Sequence, residues 1–235
     1  MNRTAWIVIS VLVVLGLAGL VIVSKKDAVN VDGIDPYTVI QSTDGTIGDQ
    51  TKGKKDAKVV VFEYADFQCP GCAGAHQNLP RIQALYEGSV LFVFRNFPLT
   101  SGHQNALAAS TSAEAAGLQG KFWEMHDVLF SNQNEWQSLD AQKRNETFTA
   151  YAKQLGLNTD TFTNDLSNKA VQEKIRTDRA LGAKVNVTET PTFIVNNEKV
   201  SSEIVTDLIQ KGGDLFMDLL DAKLKEAGET PPARN

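Results

Sequence analysis

The segment Phe62-Glu63-Tyr64-Ala65-Asp66-Phe67-Gln68-Cys69-Pro70-Gly71-Cys72 joins an apolar stretch to a pair of closely spaced cysteines. Residues 58–64 are mostly β-branched or aromatic, which predicts a buried strand. Residues 73–87 carry apolar side chains at helical spacing, and Pro80 among them predicts a kink in the helix. The cysteine pair is therefore expected where a strand passes into a helix.

The spacing of the cysteines indicates redox chemistry more than a structural crosslink. Cys69 and Cys72 are the two cysteines of the chain. A disulfide between them closes a loop of about four residues, for which chain entropy gives only about 2 kcal/mol of stabilisation. A second thiol at this spacing can instead resolve a mixed disulfide formed by the first, as thiol–disulfide exchange requires.

The expected helix start gives the two thiols different roles. Pro70 suits the first position of a helix, where its missing N–H costs nothing. The unpaired N–H groups of a helix N-terminus favour a thiolate and lower its pKa. Cys69 is therefore predicted to be the exposed nucleophile. Cys72, one turn into the helix, is predicted to be the shielded resolving thiol.

The rest of the chain predicts a small sheet covered by helices. The predicted elements are a short strand at 37–40, a strand at 89–94, a mostly helical stretch at 96–189, a strand at 192–195, a hairpin turn at Asn196-Asn197 into Lys199-Val200, and a last helix at 214–227. Near-continuous apolar strands between helical segments are typical of an α/β protein with a buried sheet.

The N-terminus predicts a membrane anchor. Residues 5–23 form an apolar run of 19 residues, broken only by Ser10, Gly16 and Gly19. As a helix this run spans about 28 Å, close to the ~30 Å hydrocarbon core of a bilayer. A cleaved signal has a shorter apolar core and a small-residue cleavage site, and no convincing site follows this run. We therefore expect residues 1–26 to stay attached, with the short N-terminal head favouring export of the rest.

The chain beyond this run is acidic. Three of the 23 basic residues precede residue 27, whereas all 28 acidic residues follow residue 26, so the remainder is more negative than the overall net charge of −5. Nucleic-acid binding depends on clustered Lys and Arg side chains that neutralise phosphates. The composition therefore argues against a nucleic-acid partner.

A metal site is the main alternative reading of the cysteines. His76 lies one helical turn after Cys72, and His103 or His126 would complete a Cys₂His₂ set. These histidines lack the close spacing of a structural zinc motif, so the sequence predicts no metal and no other cofactor. A c-type haem needs a histidine directly after the second cysteine, where Ala73 stands.

Four segments resemble the thioredoxin superfamily and, within it, the DsbA-like thiol–disulfide oxidoreductases. They are residues 62–72, residues 94–99 (FRNFPL), residues 121–126 (KFWEMH) and residues 190–193 (TPTF). The resemblance implies an α/β, thioredoxin-like fold with a helical insertion domain, here preceded by one N-terminal transmembrane helix. The implied divisions are 1–26 membrane anchor, 27–55 linker and edge strand, 56–95 first half of the thioredoxin fold, 96–189 helical insertion, 190–227 second half and 228–235 tail.

The resemblance also implies roles for residues outside the cysteine pair. Pro191 is expected to be cis and to face the cysteines, and Thr190 to offer backbone hydrogen bonds to an extended substrate peptide. Without the family, Thr190-Pro191 reads equally well as a strand start. Glu63 matches a buried acid whose pKa desolvation raises, and which relays a proton to Cys72. The alternative for Glu63 is a solvated acid at the sheet edge.

Pro70 and Gly71, the residues between the cysteines, are expected to tune the redox potential. The best-known strong oxidants of the family carry Pro-His here, and Gly71 has no imidazole to stabilise a Cys69 thiolate. The potential is therefore expected between about −120 mV, as in the strong oxidant DsbA, and about −270 mV, as in thioredoxin.

These observations predict a membrane-anchored thiol–disulfide oxidoreductase whose catalytic domain faces the extracytoplasmic side. Its predicted substrates are reduced exported polypeptides, in which it forms disulfides. The resemblance implies a membrane redox partner that reoxidises the cysteine pair. The alternatives are a reductase or isomerase that uses the same cysteines, and a non-catalytic chaperone or zinc-binding module.

Overall fold

The fold is built around one five-stranded sheet. A computed structural model describes residues 29–234. The strands are β1 (Gln50–Gly53), β2 (Val59–Ala65), β3 (Val90–Asn96), β4 (Thr192–Val195) and β5 (Glu198–Lys199). The helices are α1 (Pro70–His76), α2 (Leu79–Tyr86), α3 (Ala106–Gly117), α4 (Phe122–Ser131), α5 (Gln133–Trp136), α6 (Ala141–Gln154), α7 (Thr159–Asp165), α8 (Lys169–Lys184), α9 (Ser202–Gln210) and α10 (Asp214–Glu226).

The strands lie in the order β1-β3-β2-β4-β5. The central strand β2 pairs parallel with β3 and antiparallel with β4. Every residue of β3 is buried, which explains why its sequence is apolar without alternation. The structure confirms the three predicted core strands. It also confirms the hairpin, in which Asn196 and Asn197 adopt positive φ angles of 44° and 73°.

The two faces of the sheet are covered differently. One face packs against α2, α9 and α10 through residues such as Val61, Phe92 and Phe193. On the other face, Phe62 and Tyr64 contact Tyr37 and Val39 from the irregular segment before β1. The faces are therefore covered by helices on one side and partly by an irregular segment on the other.

This arrangement corrects the strand predicted at 37–40. Residues 36–40 form turns and irregular backbone, and the edge strand is β1, which pairs antiparallel with β3. The Arg95 guanidinium donates hydrogen bonds to the carbonyl oxygens of Pro36 and Thr38. A buried side chain thus satisfies backbone groups that a strand would pair with a neighbouring strand.

The helix expected at 73–87 is two helices, so the predicted kink was wrong. α1 ends at His76 and α2 begins at Leu79, with Pro80 in its first turn. A proline in a helix interior lacks the N–H that would bond four residues back, but it fits a first turn. The break therefore places Pro80 where its missing N–H has no cost.

The insertion between β3 and β4 consists of the six helices α3 to α8. Side chains of Asp140, Asn158 and Asn168 accept hydrogen bonds from backbone N–H groups at the starts of α6, α7 and α8. Each such cap contributes about 1 kcal/mol. The last three helices of the insertion therefore begin at strong local start signals.

The C-terminal part contains one helix more than the sequence indicated. The last helix, α10, matches its prediction within one residue, but α9 was not predicted. None of the helices within residues 29–234 is long and apolar enough to cross a membrane. The anchor and transmembrane helix predicted at 1–26 lie outside the described residues.

Candidate active site

Cys69 stands at the N-terminus of α1. It is the residue before the helix, with φ −74° and ψ 124°, and Pro70 takes the first helical position as predicted. Its Sγ lies 3.2 Å from the carbonyl oxygen of Thr190, a hydrogen-bond distance for the protonated thiol. The prediction that Cys69 is exposed was wrong, because the residue is buried with 9% exposure. It still lines a groove, from which another sulfur can approach it.

Cys72 is fully buried, and both thiols are free. A hydrogen bond from the Cys72 thiol lowers the pKa of Cys69 to about 5, against the effect of burial. The backbone N–H groups of Gly71 and Cys72 act in the same direction, as expected at a helix start. Burial raises the pKa of Cys72 well above its ordinary value. At neutral pH one sulfur is a thiolate and the other keeps its proton.

The Thr190–Pro191 peptide bond is cis, as the resemblance implied. A Cβ atom on Gly71 would lie 3.2 Å from Pro191 Cδ and 3.7 Å from Cys69 Sγ. The loop before β4 therefore faces the start of α1. Because Gly71 has no side chain, the space between the sulfur and the proline ring stays open.

A groove of about 590 Å³ runs along this junction. Its apolar wall includes Pro191, Val200, Val205 and Ile209. Glu189 and Lys199, both exposed, place opposite charges on its rim. A larger cavity of about 670 Å³ lies in the insertion, and the site residues named above do not line it.

Glu63 lies on β2 and is 7% exposed. Desolvation by burial raises its pKa to about 8, and its charge is among the groups that raise the pKa of Cys72. Within residues 29–234 its carboxyl group has no hydrogen-bond partner. It is a buried, unpaired acid near the resolving thiol and not a solvated acid at the sheet edge.

Several polar residues hold the cysteine loop in place, and the sequence analysis did not identify them as functional residues. The buried Asp66 carboxylate accepts hydrogen bonds from the N–H groups of Gln68 and Leu99, and it lies 2.7 Å from His103 Nδ1. Gln133 Nε2 donates to the carbonyl oxygen of Cys69 at 3.0 Å. No sequence pattern marks Gln133, because it lies in the insertion and its hydrogen-bond partner Cys69 is distant in sequence.

The structure does not assemble the Cys₂His₂ alternative from the residues it describes. His103 bonds Asp66, whereas His76 and His126 lie together with Asp127. The two cysteines face each other and the Thr190 carbonyl. The thiols are therefore arranged for exchange with a disulfide.

Comparisons with known proteins agree with this geometry. The profile of the family described as Thioredoxin matches residues 46–211. BdbD from Bacillus subtilis (oxidised) superposes with a TM-score of 0.65 at 24% identity, covering 80% of this chain and 98% of that one. α-DsbA1 from Wolbachia pipientis superposes with a TM-score of 0.62 at 24% identity, covering 76% and 92%. The chain belongs to the thioredoxin family and has the DsbA-like form of its fold.

Sequence comparison finds relatives of another description. The protein named Na(+)/H(+) antiporter NhaA 3 from Salinispora tropica is 38% identical over 151 residues, which are 64% of this chain and 22% of the relative. NhaA 1 from Mycolicibacterium vanbaalenii is 33% identical over 150 residues, which are 63% of this chain and 23% of the relative. The chain spans about a fifth of the length of these curated relatives.

Proposed function

We propose that the protein is a membrane-anchored protein disulfide oxidoreductase that forms disulfides in reduced polypeptides outside the cytoplasm. The observation that carries the proposal is the asymmetry of the thiols: Cys69 opens to a groove with a pKa lowered to about 5, whereas Cys72 is fully buried with a raised pKa. Exchange with a substrate requires one sulfur that the substrate can reach and a second, shielded thiol that can resolve the mixed disulfide.

The reaction starts from the oxidised pair. A substrate thiolate attacks Cys69 Sγ, the Cys69–Cys72 bond breaks, and Cys72 leaves as a thiolate. Because burial raises the pKa of Cys72, this thiolate takes up a proton. Glu63, whose pKa is raised to about 8, is protonated at neutral pH and supplies that proton.

The second step releases the product. Another substrate thiolate attacks the substrate sulfur of the mixed disulfide, and Cys69 leaves as a thiolate. Its lowered pKa makes it a good leaving group. Two electrons have then passed from substrate to the cysteine pair, and a membrane redox partner takes them up. The groove beside Thr190 and Pro191 holds the substrate backbone in extended form.

The thiol pKa also supports a redox potential between the two family extremes. Thiolate stabilisation favours the reduced enzyme and makes it a stronger oxidant. The pKa of Cys69, about 5, lies between about 3.5 for the strongest oxidant and about 7 for thioredoxin. We expect the potential to lie correspondingly between about −120 and −270 mV.

The location is proposed from the apolar run at residues 5–23. The curated relatives are named as antiporters, and the chain matches only about a fifth of each, so ion transport is not carried over. A tag at the C-terminus that is accessible from outside the cytoplasm would support the orientation. A tag accessible only from the cytoplasm would make the protein a thioredoxin-like reductase.

The deciding experiment is the reduction potential of the Cys69–Cys72 pair in the full chain, measured against glutathione redox buffers. A value above about −180 mV supports disulfide formation in clients. A value near −270 mV reverses the direction and identifies a reductase with the same residues. Cys69→Ser cannot form the disulfide, so it serves as the control in an activity assay on reduced polypeptides. Full activity of that variant in the assay would favour the chaperone alternative.

A further inference from the structure

A second group of ligand-type side chains joins α1 to the insertion, and none of its members lines the groove. His76 is the last residue of α1, and His126 and Asp127 lie on α4 in the insertion. One ligand atom from each of the three lies within 4.8 Å of the others. Asp127 Oδ1 is 2.8 Å from His126 Nδ1 and 3.9 Å from His76 Nε2. The cluster joins two elements that are about fifty residues apart in sequence.

His126 is the buried member of this cluster. It is 5% exposed, and its ring is enclosed by aromatic side chains at centroid distances of 4.9 to 5.6 Å, which belong to Phe67, Phe94, Trp123 and Phe130. Its Nδ1 atom faces the Asp127 carboxylate, whereas its Nε2 atom has no hydrogen-bond partner within residues 29–234.

The three side chains are of the types that bind transition metals, which take neutral imidazole and ionised carboxylate as ligands. The Asp127 side chain is 48% exposed, which leaves an approach from solvent.

We propose that His76, His126 and Asp127 bind one divalent transition-metal ion of the Zn²⁺ class. Two imidazole nitrogens and one carboxylate oxygen are a donor set that Zn²⁺ accepts, with water as the fourth ligand. Mg²⁺ and Ca²⁺ prefer all-oxygen donor sets, and two imidazole nitrogens therefore disfavour them at this site. The bound ion clamps α1, which carries both cysteines, to α4 of the insertion.

The positive charge of Lys52 lies near the cluster and repels a bound cation. The ammonium group of Lys52 on β1 acts electrostatically on all three ligands, and its Nζ lies 5.6 Å from the centroid of the Trp123 ring. Replacing Lys52 with an uncharged side chain removes this repulsion. Lys52→Gln is therefore expected to bind Zn²⁺ several-fold more tightly than the unaltered protein.

The test is calorimetric titration of Zn²⁺ into the full chain, stripped of metals and with Cys69–Cys72 oxidised to the disulfide. Oxidation removes the thiolates, which would otherwise bind zinc. We expect one ion per chain and a rise in melting temperature with zinc concentration. His126→Asn and Asp127→Asn should each weaken binding at least tenfold, and His103→Asn, outside the cluster, should leave it unchanged.

Asp127→Asn keeps the test decisive if the buried His126 variant fails to fold, because Asp127 lies at the surface. The proposal is overturned if the oxidised protein takes up no zinc at millimolar concentration. It is also overturned if Asp127→Asn binds zinc as tightly as the unaltered chain, or if Lys52→Gln binds it more weakly. None of these results depends on the redox activity, so the proposed function stands or falls separately.

Discussion

Two buried regions of this protein contain carboxyl groups, Glu63 and Asp49, whose pKa values are shifted in opposite directions. Beside the cysteines, Glu63 is buried alone, and its pKa rises to about 8. At the far side of the sheet, the side chains of Asp49, Arg95 and Lys174 are also buried, but both cations bond Asp49, with Arg95 Nη2 2.8 Å and Lys174 Nζ 3.1 Å from its oxygens. There the two cations hold the pKa of Asp49 below its usual value, although burial alone would raise it.

The difference indicates that Glu63 serves proton transfer, whereas the paired groups serve the stability of the fold. A lone buried carboxyl group takes up a proton near neutral pH, which makes it useful to a thiol that must be protonated and deprotonated. The paired groups, called here the ion cluster (Asp49, Arg95, Lys174 and Asp178), are held by ion pairs in which Lys174 contacts both carboxylates and Arg95 contacts Asp49. The ion cluster ties together the segment before β1, strand β3 and helix α8 of the insertion.

Breaking the ion cluster is expected to have the largest effect. Arg95→Met leaves Asp49 short of one cation and strips hydrogen bonds from the carbonyl oxygens of Pro36 and Thr38. Loss of one partner from a buried ion pair costs about 3–5 kcal/mol. Chemical denaturation measures this loss in the free energy of unfolding.

The matched control is an exposed ion pair. Lys143 and Asp140 lie 4.0 Å apart with side chains 70% and 62% exposed, so Lys143→Met should change stability by less than about 1 kcal/mol. In folded Arg95→Met, the Cys69 thiol should titrate as before. A changed titration would contradict the separation of the two regions.

The lone acid predicts a pH dependence of stability. Folded Glu63 keeps its proton up to about pH 8, whereas its ordinary pKa is 4.5, so the folded state binds more protons between these values. The contribution of Glu63 to stability is therefore fully present below about pH 4.5 and is lost as the pH rises through 8. Glu63→Gln, which cannot ionise, should remove this decline and be the more stable protein at pH 8.

The same variant should slow catalysis. Glutamine cannot supply a proton to the leaving Cys72 thiolate, so the mixed-disulfide step should slow by about 10²-fold. Denaturation at several pH values, together with stopped-flow kinetics, measures both effects. An unchanged pH slope would mean that Glu63 does not hold its proton in the folded protein.

The smallest expected effect concerns Gly71. A side chain here starts 3.7 Å from Cys69 Sγ, so Gly71→His places an imidazole beside the thiolate. This stabilises the reduced form and should raise the potential by about 30 mV, equivalent to about 1.4 kcal/mol. Gly71→Ala is the control, because it fills the same space without a charge. Equal potentials in the two variants would remove Gly71 from redox tuning.

Local sequence patterns predicted the elements whose formation depends mainly on neighbouring residues. The apolar runs gave the three core strands, and the Cys69-Pro70 start gave α1. The helix α9 was missed because Ile204, Val205 and Thr206 are β-branched and lower its intrinsic helix propensity. Packing against α1, where a Cβ on Gly74 would lie 2.8 Å from Ile209 Cγ2, favours the helix there.

By itself, the sequence determined the chemistry of the cysteine pair, because the CxxC spacing and the helix start act within four residues. Only the tertiary structure decided which distant groups meet. It paired Asp49 with Arg95 and Lys174, placed His76 against His126 and Asp127, and buried Glu63 near Cys72. These contacts join segments far apart in the chain, so their formation depends on the topology of the sheet and the insertion, which local periodicity does not encode.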